Sequence, residues 1–222
     1  MRHNRLKIEK RRRLLKREVV NRRNENSKSL VQHFDELIKD KKVAILGNAQ
    51  AFYEYEWQEE LAQYDVIVRI NAGICLTDEQ KERTTDRCDI YFDRCSASYA
   101  AKLHEVNTCE NPKLIVINGS FRRKRIQFEY LTLPQAFINR CHREVTGVPT
   151  MGYRVFRLLQ KVGTFSELAL FGFDFFATPD FYDGKTHILK NRNISHKPEK
   201  EKLLIFEQIK HDERLKFYEI PN

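Results

Sequence analysis

Side chains able to hold a ribose, a phosphate or a labile proton recur in this sequence at the ends of short apolar runs. The run VAILGN over 43–48 closes on Gly47-Asn48. A glycine there lets a backbone approach closely, and an asparagine offers both a donor and an acceptor, which suits a ribose hydroxyl or a phosphate oxygen. The run DVIVRIN over 65–71 carries Arg69 inside an apolar stretch and closes on Asn71. A charge in that setting needs a partner, either a core carboxylate or a bound phosphate. His196 stands beside Lys197-Pro198 and, read alone, is a surface-loop histidine. Neither GxGxxG nor GxxxxGK[ST] occurs, so the dinucleotide fingerprint and the phosphate loop of the nucleotide triphosphatases are both absent. The five cysteines form no CxxC pair, which argues against a disulfide framework and against a zinc site.

These residues need a scaffold that brings strand ends together. The runs at 43–48, 66–71, 89–92, 114–118 and 168–173 are short and rich in β-branched or aromatic residues. Between them lie helical patterns over 98–106, 133–140, 152–162 and 199–210, the third with Val155, Phe156, Leu158 and Leu159 on one side. Apolar strands separated by helices predict an α/β fold, Rossmann-like, with a mostly parallel sheet flanked by helices. In such sheets ligands bind outside the carboxyl ends of the strands, where the strand order reverses. The residues that end each strand are therefore the ones to read for function.

Charge divides the chain in two. Of the 222 residues, the first 28 hold 12 Lys/Arg against Glu9, Glu18 and Glu25, which accounts for the whole formal net charge of +9. The expected organisation is a basic N-terminal arm over 1–30, helical or flexible, and an α/β domain over 31–222. The arm suits attachment to an anionic membrane surface at roughly 1 kcal/mol per basic residue, or a solvated or oligomerising helix. No nucleic-acid-reading motif accompanies it, and no nucleic-acid partner is expected. No stretch reaches the roughly 20 apolar residues of a membrane span, and the basic N-terminus has no apolar core of a signal peptide. The expected location is the cytoplasm of a bacterium, peripheral on the inner membrane where the arm engages it.

Gly47-Asn48-Ala49, followed about twenty residues later by Asp65-Val-Ile-Val-Arg69-Ile-Asn71, resembles the large motif of the sialyltransferases, glycosyltransferase family 29. The family's further motifs are matched in order. Pro149-Thr150-Met151-Gly152 opens a helix that leads to a strand ending Phe171-Gly172-Phe173-Asp174. Asp180-Phe181-Tyr182-Asp183 follows, and then His196 with Glu201 five residues on. The resemblance spans about residues 42–210. It implies a variant of the GT-A-like glycosyltransferase fold and a CMP-sugar donor, with no cofactor and no metal. No DxD pair ends a strand, and Phe92 precedes Asp93.

By the same resemblance, Asn48 and Asn71 would hold the donor's ribose and phosphate, and Gly47 would permit close approach. Thr150 and Gly152 would sit at a helix N-terminus that receives the donor's negative charge. Gly172 would lie beneath the nucleotide, with Arg69, Asp174 and Tyr182 in the donor site. His196 would be the catalytic base, an imidazole able to take the acceptor hydroxyl proton.

The sequence departs from the family at two motifs. The Ser-Thr pair of the second motif is Thr150-Met151 here, so one hydroxyl is missing, and Asp180 stands where a histidine opens the third motif, so His187 becomes the candidate phosphate contact. Phe171-Gly172-Phe173-Asp174 with Phe181-Tyr182-Asp183 is also similar to bacterial relatives that are thought to use CMP-Kdo. The expected function is transfer of an ulosonic acid, sialic acid or Kdo, from a CMP donor to a cell-surface glycan or glycolipid acceptor with inversion, as in lipopolysaccharide or capsule biosynthesis. The alternative is a non-catalytic nucleotide- or glycan-binding module with a degraded transferase site. Trp57, in an acidic-aromatic stretch, either stacks on an acceptor sugar or anchors its segment to the core.

Overall fold

The computed structural model describes residues 32–94, 112–118, 131–178 and 196–221. The expected basic arm and the expected helix over 98–106 lie outside the described residues.

Seven strands form one sheet: β1 (Lys42–Leu46), β2 (Val66–Ile70), β3 (Ile90–Asp93), β4 (Leu114–Ile117), β5 (Leu131–Thr132), β6 (Glu167–Phe171) and β7 (Leu215–Phe217). Every pairing among them is parallel, in the order β5-β4-β3-β2-β1-β6-β7. The alternation of β1 explains its central place. Val43 and Ile45 enter one apolar cluster, and Ala44 and Leu46 enter another on the opposite face. Successive side chains of a strand point to opposite faces, so a strand apolar at every position is stable only with both faces covered.

One face is covered by α1 (residues 32–38), α4 (Gln135–Val145), α5 (Met151–Val162) and, through Ile205, α6 (Pro198–His211). The other is covered by the 3-10 turn Gln50–Glu54, the short helix α2 (Gln58–Ala62) and Tyr64. The sixth helix of the described residues, α3 (Asp78–Arg83), starts at a capping box in which Thr77 Oγ1 accepts from the Gln80 amide and the Gln80 side chain accepts from the Thr77 amide. Trp57 is buried, stacks on Phe52 at 5.6 Å and donates from Nε1 to the Phe52 carbonyl at 3.0 Å, the anchoring role.

The expected strands and the last three expected helices begin within two residues of the observed ones. β5 and β7 were not expected. They are two and three residues long and form the sheet's edges, too short to show a period. The chain runs outward from β1 to β5 on one side, then crosses back to place β6 against the other side of β1. The strand order therefore reverses between β1 and β6, and a crevice opens outside their carboxyl ends.

Candidate active site

The tips of β1 and β6 form the floor of that crevice. The Gly47 amide donates to the Phe171 carbonyl at 2.7 Å, carrying the ladder one residue past β1. A Cβ on Gly47 would lie 2.1 Å from the Gly172 carbonyl oxygen, so the glycine is required by the neighbouring backbone. Gly172 has φ +68°, the left-handed region, and packs its Cα against the Phe52 ring. Both glycines line the crevice, whose volume is about 580 Å³, but close packing between β1, β6 and Phe52 already accounts for them. Gly152 lines it as well, and a Cβ there would meet the Phe173 ring at 2.5 Å.

Asn48 follows the end of β1 and Asn71 the end of the neighbouring β2. Asn48 donates from Nδ2 to the Ile70 carbonyl at 3.2 Å, while its Oδ1 is buried with no hydrogen-bond partner. A buried acceptor without a donor costs about 1–3 kcal/mol, and this one belongs to a residue lining the crevice. Asn71 adopts φ +49°, which asparagine tolerates, and so turns the chain from β2 into the 3-10 turn Asn71–Ile74. Its Oδ1 accepts from the Arg94 amide at 3.0 Å, leaving the Nδ2 hydrogens as the polar group it can offer a ligand.

The opposite wall comes from the chain entering α5 and from the start of α6. His196 and Glu201 clamp one tripeptide between them. His196 Nδ1 lies 2.7 Å from the Val148 carbonyl oxygen. A carbonyl only accepts, so Nδ1 carries the hydrogen, and in the neutral form of such a ring Nε2 is the basic nitrogen. One turn further on, Glu201 Oε1 accepts from the Thr150 amide at 2.7 Å, and Oε2 accepts from the Thr150 hydroxyl at 2.6 Å. The same hydroxyl caps α5 by accepting from the Tyr153 amide at 3.1 Å. The His-x4-Glu spacing thus ties the start of α6 to the start of α5. Burial pushes the Glu201 carboxyl up to about 7, against the lowering effect of the two Thr150 contacts and the Arg154 charge.

Two sequence-predicted donor residues serve other purposes. Arg69 is fully buried and does not line the crevice. Its Nε donates to the Arg87 carbonyl at 2.9 Å, one terminal nitrogen donates to the Gly73 carbonyl at 2.9 Å, and the other donates to the Thr85 carbonyl. Its partners among the described residues are these three backbone carbonyls and the Tyr53 hydroxyl rather than a core carboxylate. Thr150 lines the crevice, but its amide and hydroxyl are committed to Glu201, so it does not offer them to a donor as expected. The amides of Met151 and Gly152, in the first turn of α5, have no acceptor within the helix and remain for a ligand.

Asp174 also lines the crevice. Its carboxylate accepts from the Phe176 amide at 2.9 Å, the Thr178 amide at 2.6 Å and the Thr178 hydroxyl at 2.5 Å. It shapes the loop after β6, in which Phe175 and Phe176 have positive φ. Tyr182, His187 and Asp180 lie outside the described residues. Arg94, Asn118 and Arg154 line the crevice without having been singled out in the sequence. For Arg154 a signal exists: it interrupts Met151–Phe156, the opening half of α5, every residue of which is buried. A charge among residues buried all round is rarely idle.

No protein-family model matches the sequence, and no curated protein matches it. Solved structures do match. A mammalian sialyltransferase in complex with Gal-beta-1-3GalNAc-ortho-nitrophenol aligns with a TM-score of 0.55 at 12% identity, over 85% of this chain and 77% of that one. The sialyltransferase CstII from Campylobacter jejuni, in complex with the substrate analogue CMP-3FNeuAc, aligns with a TM-score of 0.53 at 17% identity, over 82% of each chain. A second CST-II structure, with a trisaccharide acceptor and CMP, gives 0.53 at 16% identity over 81% of each chain. The likeness is one of fold: this chain has a sialyltransferase-like, Rossmann-like α/β architecture with its sheet parallel throughout the described strands.

Proposed function

We propose that this chain is a glycosyltransferase that moves an ulosonic acid, sialic acid or Kdo, from a CMP donor to a hydroxyl of a glycan or glycolipid, with inversion and without a metal. The observation that carries the reading is the orientation of His196. A histidine at a nucleotide-sized crevice, with Nδ1–H held by a backbone carbonyl, has Nε2 set up as a base. The crevice volume falls within the ~300–1,000 Å³ usual for small-molecule sites. The fold is shared with proteins whose structures hold CMP, CMP-3FNeuAc or an acceptor trisaccharide.

In the proposed reaction, Nε2 of His196 takes the proton of the acceptor hydroxyl as that oxygen bonds to the anomeric carbon. The bond from the anomeric carbon to the phosphate oxygen breaks, and its electron pair leaves with CMP. Asn48 and Asn71 bind the nucleotide portion. The first-turn amides of α5 and the helix dipole stabilise the negative charge that builds on the leaving phosphate. Arg69 contributes by fixing the loop that follows β2, not by touching phosphate. The basic arm over 1–28 brings the enzyme to an anionic membrane on the cytoplasmic side, where a glycolipid acceptor would be presented.

Release of CMP from CMP-sialic acid and from CMP-Kdo, measured in EDTA with a panel of sugar acceptors, tests this reading. At least one donor should be consumed, and His196→Ala should lower the rate by about 10²- to 10⁴-fold while CMP still binds. Consumption of neither donor refutes the transferase. CMP binding without turnover would instead support a nucleotide-binding module, for which Met151 in place of a hydroxyl-bearing residue is the relevant change.

A further inference from the structure

Arg154 is only 7% exposed, yet its guanidinium has no hydrogen-bond acceptor among the described residues, and its Nε is buried without a partner. It lines the crevice from α5. Burying a guanidinium without an anion is costly, and burial here lowers its proton affinity. The acids that share the crevice do not hydrogen-bond to it. Glu201 directs one oxygen to the Thr150 amide and the other to the Thr150 hydroxyl, and Asp174 is held by Phe176 and Thr178. The Cys141 thiol near it is pushed by burial up to about 11, so it is neutral at physiological pH. A second cation, Arg94, lines the same crevice and lies close enough to repel it. The two arginines face a low-dielectric wall with their charge incompletely balanced, a field that concentrates anions.

We propose that Arg154 is a specificity-determining anion receptor of this crevice, binding two oxygens of a carboxylate or phosphate group on the bound ligand. A planar guanidinium suits such a two-oxygen partner better than an ammonium does. The assignment rests on the CMP-ulosonate reading, since that donor carries both groups: a phosphate, and a carboxylate on the anomeric carbon itself. Neither group has another side-chain cation within the described part of the crevice except Arg94 at its exposed rim.

Calorimetric affinities of wild type, Arg154→Gln and Arg154→Lys for cytidine, CMP and CMP-3FNeuAc test this. Arg154→Gln should leave cytidine binding unchanged. A loss of about tenfold or more for CMP and CMP-3FNeuAc alike identifies the phosphate as the partner; the same loss for CMP-3FNeuAc alone identifies the carboxylate. Arg154→Lys should recover only part of it. Equal affinities of wild type and Arg154→Gln for all three ligands overturn the proposal. If wild type binds no cytidine ligand, the CMP-ulosonate reading fails, and Arg154 is judged by its own guanidinium Nε–H resonance in wild type. Titration with inorganic phosphate or with pyruvate should then shift that resonance; a resonance unmoved by either anion overturns the receptor.

Discussion

Replacing Glu201 by Gln should make the protein more stable at alkaline pH, because the wild-type carboxyl must ionise in a buried place. Its side chain is 3% exposed and burial raises it from 4.5 to about 7. A carboxyl raised in the folded state binds its proton more tightly there than in the unfolded chain, so stability falls as pH climbs from the unfolded value through the folded one. A difference of about 2.5 pH units at 1.36 kcal/mol each is roughly 3 kcal/mol, lost mostly between pH 4.5 and 7. Glutamine mimics the protonated form: its carbonyl can accept from the Thr150 amide, and its NH₂ can donate to the Thr150 hydroxyl. Urea denaturation of both proteins at pH 5 and pH 8 reads the effect. Wild type should lose about 2–3 kcal/mol more than Glu201→Gln over that interval. Parallel pH profiles for the two proteins would refute the claim that Glu201 clamps Thr150 from a desolvated position.

Arg69→Met takes the donor from one buried carbonyl, that of Gly73, and from the part-buried carbonyls of Thr85 and Arg87, so it should cost about 1–3 kcal/mol of stability while CMP affinity of the folded protein holds. A tenfold loss of CMP affinity at unchanged stability would return Arg69 to the ligand site. Gly47→Ala drives a Cβ into the Gly172 carbonyl, a backbone atom that cannot swing aside, and should lower the melting temperature sharply; an unchanged melt would mean that β1 and β6 do not meet as described. Deleting residues 1–28 should weaken sedimentation with anionic vesicles, at roughly 1 kcal/mol per basic residue lost from the surface, and leave turnover of a soluble acceptor intact. Equal vesicle binding with and without the arm would remove its membrane role.

Much of the scaffold was legible because its signals are local. Unbroken apolar runs such as Val43–Leu46 imply a strand covered on both faces, and Thr150 before the α5 run marks a helix start through its own side chain. The edge strands were not legible: Leu131–Thr132 and Leu215–Phe217 owe their state to the β4 and β6 backbones beside them. At the site, the strand-end residues Gly47, Asn48, Asn71 and Gly172 all line one crevice. Partners were harder to read. Arg69 looked like a phosphate ligand because its acceptors are carbonyls of residues 73, 85 and 87, and nothing in the sequence states where a carbonyl points. Glu201 entered only as a spacing from His196. Its contact with Thr150 spans 51 residues and exists only once α5 and α6 have packed.

On the proposed function, the crevice over the tips of β1 and β6 receives the CMP portion of a donor. A CMP titration followed by ¹H–¹⁵N spectra tests it most directly. Saturable shifts are expected at the Asn48 and Asn71 side-chain amides and at the Met151 and Gly152 backbone amides, with the Arg69 guanidinium unmoved. Shifts confined to other surfaces, or none at millimolar CMP, would contradict it.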